Sequence, residues 1–343
     1  MNEERQIMQM LLTLIKGLMK VRDGELLSPA LDEGHNMLIK IARSAGVTPP
    51  ADLVALCAWL TTPCCEWGIE GVTALFKDRL YDWYGGISLE AEEFLDIYVS
   101  PGESDQKVMA EIVAYCREKY PVNKQYQQYY SDIRSFVTNP ENAIIEKYKL
   151  VSFQAAIRDV TLGALFLRLY EEFPKSKNNY RRCSHCGWTM TYAKGRWQCH
   201  SRTCNKEANT TNLEELPTNA THRLLPGIHR FTLVPGLTQQ NLATRLRRYG
   251  YKVEMYPEVD KYDLRVWAGE AEINLDVKEY NNPQHLVEYI KKEYERHLAG
   301  ESKFIDHCYI VIPSHLTDRR SGYLSQVKKE LKGKSKIVKV IAE

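Results

Sequence analysis

Residues 261–267 read KYDLRVW and residues 269–280 read GEAEINLDVKEY, two short runs in which apolar and polar side chains alternate. A strand turns successive side chains to opposite faces, so the pattern predicts strands over Tyr262–Trp267 and Ala271–Glu279, joined by a tight turn at Ala268-Gly269. Asp276 and Lys278 stand two apart on the second strand and share a face. Twelve residues separate Asp263 from Asp276, enough for two adjacent strands and the turn, so both carboxylates are expected at one end of a sheet.

Two carboxylates and a lysine in that arrangement suit phosphodiester hydrolysis. Carboxylate oxygens hold Mg2+ or Mn2+, which keeps some of its waters and meets a phosphate. Such an ion polarises the phosphodiester and activates a water, while a nearby lysine orients or deprotonates that water and offsets developing charge. The carbonyl of Val277, between Asp276 and Lys278, is an expected further ligand. An Asp-x-Lys triplet alone carries little, because it also occurs on the surface of ordinary α/β domains; Asp263 and the surrounding elements raise it. Glu254, Glu258 and Glu272 are spare carboxylates, more readily read as a solvated face than as ligands. Gln239 and Gln240 could support the site, and His285 and Tyr289, one helical turn apart, either contact nucleic acid or pack.

Outward from these strands, Leu237–Tyr249 reads as a helix with Leu242, Leu246 and Tyr249 on one side and Gly250 as its stop. A strand is expected at Tyr251–Tyr256. Asn281-Asn282-Pro283 opens a helix running to about Leu298, with proline at a tolerated first-turn position. A strand at His307–Ile312, a helix at Tyr323–Leu331 and a strand at Ile337–Ile341 follow. The order is αβββαβ and then αβ, a mixed-sheet α/β domain over 223–343. Its tail is rich in lysine and arginine, from Arg319 to Lys339; Lys332-Gly333-Lys334-Ser335 lacks the upstream glycine of a phosphate loop.

Four cysteines cluster upstream as Cys183-x2-Cys186 and Cys199-x4-Cys204. Four thiolates with no open position describe a structural zinc site, with His200 an alternative ligand. Gly187 is placed to relax the first knuckle, and Trp188–Gln198 has the alternation of a hairpin turning at Lys194-Gly195. Residues 175–205 carry Lys175, Lys177, Arg181, Arg182, Lys194, Arg196 and Arg202 and no acidic residue before Lys206, with Tyr180, Trp188, Tyr192 and Trp197 interleaved. Cations neutralise phosphates and aromatic faces stack on bases, so this ribbon suits nucleic acid, unless its aromatics form its own small core. The ribbon and its polar flanks are assigned to 175–222.

Residues 1–174 read as an all-α domain. Apolar stripes at helical spacing occupy 7–19 (Ile7, Leu11, Leu14, Ile15, Leu18, Met19), 31–45, 50–62, 105–119, 123–137 and 150–172, with proline and glycine at the joins. Cys57, Cys64, Cys65, Cys116 and Cys308 read as small apolar side chains. The net charge of +2 does not by itself advertise a nucleic-acid partner. The acidic start MNEERQIMQM has the wrong polarity for a secretory signal, and the longest apolar run, Val160–Leu167, is far shorter than a membrane span. A cytoplasmic protein with no membrane association is expected.

Residues 237–313 resemble the αβββαβ core of the PD-(D/E)xK restriction-endonuclease-like superfamily. Asp263 matches the first acid, Asp276 the second and Lys278 the lysine. Asp276 stands where many members carry Glu, and no proline directly precedes Asp263. The whole layout of helical N-terminus, four-cysteine ribbon and this core is similar to nucleases that accompany prokaryotic PIWI-type proteins in defence islands. The resemblance implies a Mg2+- or Mn2+-dependent endonuclease acting on DNA against invaders, with an Argonaute/PIWI-like protein and a helicase as partners. The alternative is a non-catalytic nucleic-acid-binding or scaffold subunit with a degenerate core. Such cores often dimerise to cut both strands; no dimer surface is legible here.

Overall fold

A computed structural model of the chain describes residues 3–22, 28–82, 86–98, 107–173, 180–193, 196–199, 201, 204, 214–217, 219–298, 308–319, 321–331 and 339–342. Its contacts fall into two compact units, residues 1–99 and 100–343.

In the first unit the N-terminal apolar stripe becomes the buried face of α1 (Glu3–Arg22), which packs on α2 (Pro29–Ser44). Ile7, Leu11, Leu14, Ile15 and Leu18 are buried, and Met19 packs at the margin. The helices meet closely because Gly34 faces Leu14, where any Cβ would lie 2.8 Å from its Cδ2. Helices α3 (Leu53–Thr61), α4 (Glu70–Leu75) and α5 (Leu89–Tyr98) complete the unit, with a small hairpin of β1 (Tyr81–Asp82) and β2 (Gly86–Ile87) that the helical reading did not include. Cys64 is buried, whereas Cys57 and Cys65 are exposed; no disulfide joins any of the nine cysteines.

The second unit opens with α6 (Lys107–Lys119) and α7 (Gln125–Val137), followed by β3 (Ile144–Ile145), α8 (Lys147–Ala156) and α9 (Val160–Leu167). The stripe over 150–172 is therefore not one helix. Asp159 breaks it, because its carboxylate caps α9 by accepting from Leu162 N at 2.8 Å and also accepts from the Tyr115 and Tyr126 hydroxyls. The chain then leaves α9 as β4 (Tyr170–Glu172). The ribbon supplies β5 (Tyr180–Arg182), β6 (Thr189–Ala193) and β7 (Arg196–Cys199), an antiparallel sheet whose turn residues 194–195 lie outside the described residues. Part of the stretch read as a linker is structural: β8 (His222–Leu224) pairs between β3 and β4. One apolar cluster joins Tyr130, Ile133 and Phe166 of the helices to Trp188 and Met190 of the ribbon and to Leu233 and Tyr256 beyond it.

The C-terminal part follows the expected element order. Helix α10 (Val234–Arg248) leads into β9 (Lys252–Met255), β10 (Leu264–Ala268) and β11 (Ala271–Val277). Next come α11 (Pro283–Leu298), β12 (Cys308–Ile312), α12 (Ser314–Arg319), α13 (Tyr323–Glu330) and β13 (Lys339–Ala342). The sheet order is β13-β12-β11-β10-β9, parallel among β11, β12 and β13 and antiparallel among β9, β10 and β11. Leu264, Val266, Leu275 and Val277 point to one face and pack with Leu242 and Ala243 of α10. The alternate residues point to the other face, where the chemistry gathers.

Candidate functional site

The pairing Leu264↔Leu275 continues one step to set Asp263 opposite Asp276, so the two carboxylates face the same side of adjacent strands. Asp263 is buried: its Oδ2 accepts from Val277 N at 2.7 Å and its Oδ1 from Gln239 Nε2 at 2.7 Å. The Val277 carbonyl leaves the strand on the same side as its N–H, towards Asp263. Lys278 Nζ lies 3.0 Å from Asp276 Oδ1 and 5.1 Å from the Tyr289 ring centroid of α11.

Burial, and then the Asp276 charge, push the Asp263 carboxyl well above the usual carboxylate range. Burial alone would lower Lys278, but Asp276, Tyr289 and Asp263 together hold its ammonium well above the ordinary lysine value. Two acids held together out of water, one of them reluctant to ionise, form an arrangement that a divalent cation relieves. Hard oxygens of Asp263, Asp276 and the Val277 carbonyl fit Mg2+ or Mn2+. Gln239 thus touches the site, whereas Gln240 donates to Thr138 Oγ1 and His285 is buried in packing. Glu254, Glu258 and Glu272 surround Arg265, which accounts for all three spare carboxylates.

Just before β10 the chain makes a left-handed turn. Tyr256, Glu258, Val259 and Asp260 have φ of 54°, 52°, 56° and 62°. Such conformations cost non-glycine residues about 1–3 kcal/mol each, so surrounding contacts must hold them. Gln127 Nε2 donates to Tyr256 O at 2.9 Å, and its Oε1 accepts from Val259 N at 2.6 Å. Arg117 donates from Nε to Val259 O at 3.0 Å and from Nη2 to Asp260 O at 2.8 Å. Arg134, buried behind the turn, lies 5.1 Å from the Tyr256 ring centroid. Burial lowers its pKa, but Tyr130, Asp260, Tyr256 and Asp263 raise it further. Replacing Gln127 by Ala removes both amide contacts and is expected to cost about 1–3 kcal/mol, read as a fall in denaturant midpoint at unchanged slope; an unchanged midpoint would refute the clamp.

The last turn of α6 and the connection to α7 also wall a cavity of about 590 Å³ that Asp263, Asp276 and Lys278 line. Tyr289, Arg117, Tyr120 and Lys124 line it as well.

The ribbon brings Cys183, Cys186, Cys199 and Cys204 together, all four buried, with sulfurs within 4.8 Å of one another. Zinc with Zn–S of about 2.3 Å needs sulfurs nearly 4 Å apart, and Cys186 and Cys199 are 3.7 Å apart. Hydrogen bonds from its three neighbours depress Cys183, whereas burial and shared protons raise the others. The cluster is compatible with zinc. Two histidines not anticipated from the cysteine spacing flank it: His229 Nε2 lies 3.2 Å from Cys186 Sγ, and His185 Nδ1 lies 3.3 Å from Cys204 Sγ. His200, Lys175, Lys177, Lys194 and Arg202 lie outside the described residues. Trp188 is core, stacked on His229 at 4.4 Å and donating to Leu224 O. Tyr192 is exposed and Trp197, beneath Arg181, is half-buried, so the aromatic surface left for a ligand is smaller than the sequence suggested. Arg182 pairs with Glu141 and Glu214. In the basic tail, Arg320, Lys332, Lys334 and Lys336 lie outside the described residues, while Lys328 and Lys329 are exposed.

Residues 236–343 match the family described as "REase associating with pPIWI_RE". This supports a restriction-endonuclease-like segment associated with pPIWI_RE modules. No curated protein and no solved structure gives a match. Among the described residues no helix is long and apolar enough to cross a membrane.

Proposed function

We propose that the C-terminal part, assigned as 223–343, is a divalent-metal-dependent nuclease of the PD-(D/E)xK type that hydrolyses DNA phosphodiester bonds. Asp263 and Asp276 are its metal ligands, with the Val277 carbonyl, and Lys278 stands beside the attacking water. The observation that carries this reading is the opposition of Asp263 and Asp276, with Lys278 Nζ 3.0 Å from Asp276, inside the matched segment. The αβββαβ order around them is the one the superfamily resemblance implies.

The bound ion supplies Lewis acidity and an activated water. Lys278, 3.0 Å from Asp276, is placed to orient or deprotonate that water and to offset charge on the phosphate. Gln239 and the Val277 N–H fix the Asp263 carboxylate. The pPIWI_RE association favours a role in prokaryotic anti-invader defence beside a PIWI-type partner and a helicase, with the zinc ribbon and the 1–174 helices gripping nucleic acid or docking partners.

The test is cleavage of plasmid, linear duplex and single-stranded DNA with Mg2+ or Mn2+, and with divalent ions withheld, by the wild type and by Asp276→Ala and Lys278→Ala. Cutting is expected only in the wild type with metal. Cutting that survives both substitutions sinks the assignment, and binding without cutting, alone and with a cognate partner, points to a scaffold.

A further inference from the structure

We infer that the cavity over Asp263, Asp276 and Lys278 admits one polynucleotide strand at a time, so that the site acts on unpaired nucleic acid and not on phosphodiesters inside an intact duplex. This rests on the nuclease reading above and adds the form of its substrate.

Size comes first. The cavity, about 590 Å³, is in the range of small-ligand pockets. The acids it holds are recessed, Asp263 being 8% exposed and the Asp276 side chain 13%. A phosphate must therefore reach in to meet them, which one or two nucleotides of a flexible single strand can do and a backbone held in a duplex cannot.

The roof is also fixed. The corner between α6 and α7 brings Arg117, Tyr120 and Lys124 into the lining with the acids. Four hydrogen bonds, two donated by Arg117, one donated by Gln127 and one accepted by it, tie this layer to the left-handed turn that leads into Asp263. Lifting this layer off the acids would break all four and release a turn that depends on them.

The wall chemistry suits a single strand. Asp263 and Asp276 sit where a metal belongs, while Lys124 and Arg296 are exposed cations of the lining, Arg296 held by Glu293 at 2.6 Å and Lys124 placed for a flanking phosphate. Lys124 Nζ rests 3.8 Å from the Tyr120 ring centroid, which holds the ammonium at the opening. Tyr120 and Tyr289 line the cavity as well; the Tyr289 ring already carries Lys278 at 5.1 Å and Tyr280 at 5.7 Å, so Tyr120 is the ring that remains for a base. Unpaired bases have free faces to stack on such rings, and paired bases do not.

The experiment uses the full chain with a short single strand, offered as DNA and as RNA, and a blunt hairpin duplex of the same length. Binding is read by anisotropy with Ca2+ and cutting with Mn2+. The single strand is expected to be bound and cut about tenfold better or more, and Lys124→Glu to remove most of that preference and lower the salt slope for the single strand by about one. Lys124 is exposed, so the thermal midpoint should not move. Cutting within the duplex as fast as in the single strand overturns the inference, as does an equal effect of Lys124→Glu on both forms. If nothing is cut but Lys124→Glu abolishes a single-strand binding preference, the nuclease reading falls and the strand selection stands. If both forms are cut alike by the wild type and not by Asp276→Ala, the reverse holds.

Discussion

Asparagine at position 263 is expected to abolish cleavage while making the metal-free protein more stable. Loss of a ligand carboxylate should lower the rate by about 10³-fold or more. The stability gain follows from the sign of the Asp263 shift. Burial and then Asp276 raise its folded pKa above the unfolded value. The stability contributed by this group is therefore fully present below the unfolded pKa and is lost as pH rises through the folded one. Above the unfolded pKa the buried acid is a net cost whether it ionises or keeps its proton, and the amide removes that cost. The amide also fits: Val277 N–H still finds Oδ1, and Gln239 Oε1, buried without a partner, accepts from the new Nδ2 once the glutamine amide turns over. A gain of about 0.5–2 kcal/mol is expected at pH 8, shrinking towards pH 5, as read from denaturant midpoints without added Mg2+. Mn2+ should stabilise the wild type and leave Asp263→Asn unmoved. A variant less stable at every pH, or equal stabilisation of both proteins by Mn2+, would show that Asp263 does not hold the ion.

The sequence made the sheet legible because strand alternation survives in a half-buried sheet. Leu264, Val266, Leu275 and Val277 had to face α10, and that phase put Asp263, Asp276 and Lys278 on the other side. The turn over Tyr256–Asp260 left no such mark. It contains no glycine or asparagine to announce positive φ, and it is held by Gln127 and Arg117, about 130–140 residues upstream. Contacts made at that separation have no period to read. The same limit hid His229, which reaches Cys186 from 43 residues downstream. Trp188 was ambiguous for a different reason: an aromatic ring among cations suits base stacking and a small core equally, and only its burial decides for the core.

Zinc removal is expected to unfold the helical part of the second unit along with the ribbon. Cys183, Cys186, Cys199 and Cys204 belong to the same apolar cluster as Tyr130, Ile133, Phe166 and Trp188, so an ion held by them would brace packing well beyond its own loops. Structural zinc contributes about 10–16 kcal/mol in small modules, comparable with the whole stability of a domain at about 5–15 kcal/mol. A zinc-selective chelator at constant Mg2+ should therefore abolish cooperative unfolding and any cleavage, and added zinc, but not more Mg2+, should restore both. Metal analysis should give one zinc per chain; less than about half an equivalent counts against the centre. Gly187→Ala tests the same brace without touching a ligand. Gly187 has φ of 72°, and a Cβ there would sit 1.9 Å from the Pro140 carbonyl oxygen, which belongs to backbone and cannot swing aside. A cost of about 3 kcal/mol or more is expected, with weaker zinc retention. The effect should also reach the acids, because Tyr256 lies in this cluster and opens the turn that leads into Asp263. A chain that keeps its thermal midpoint and its cutting after complete zinc loss would show the ribbon to be an appendage and not a brace.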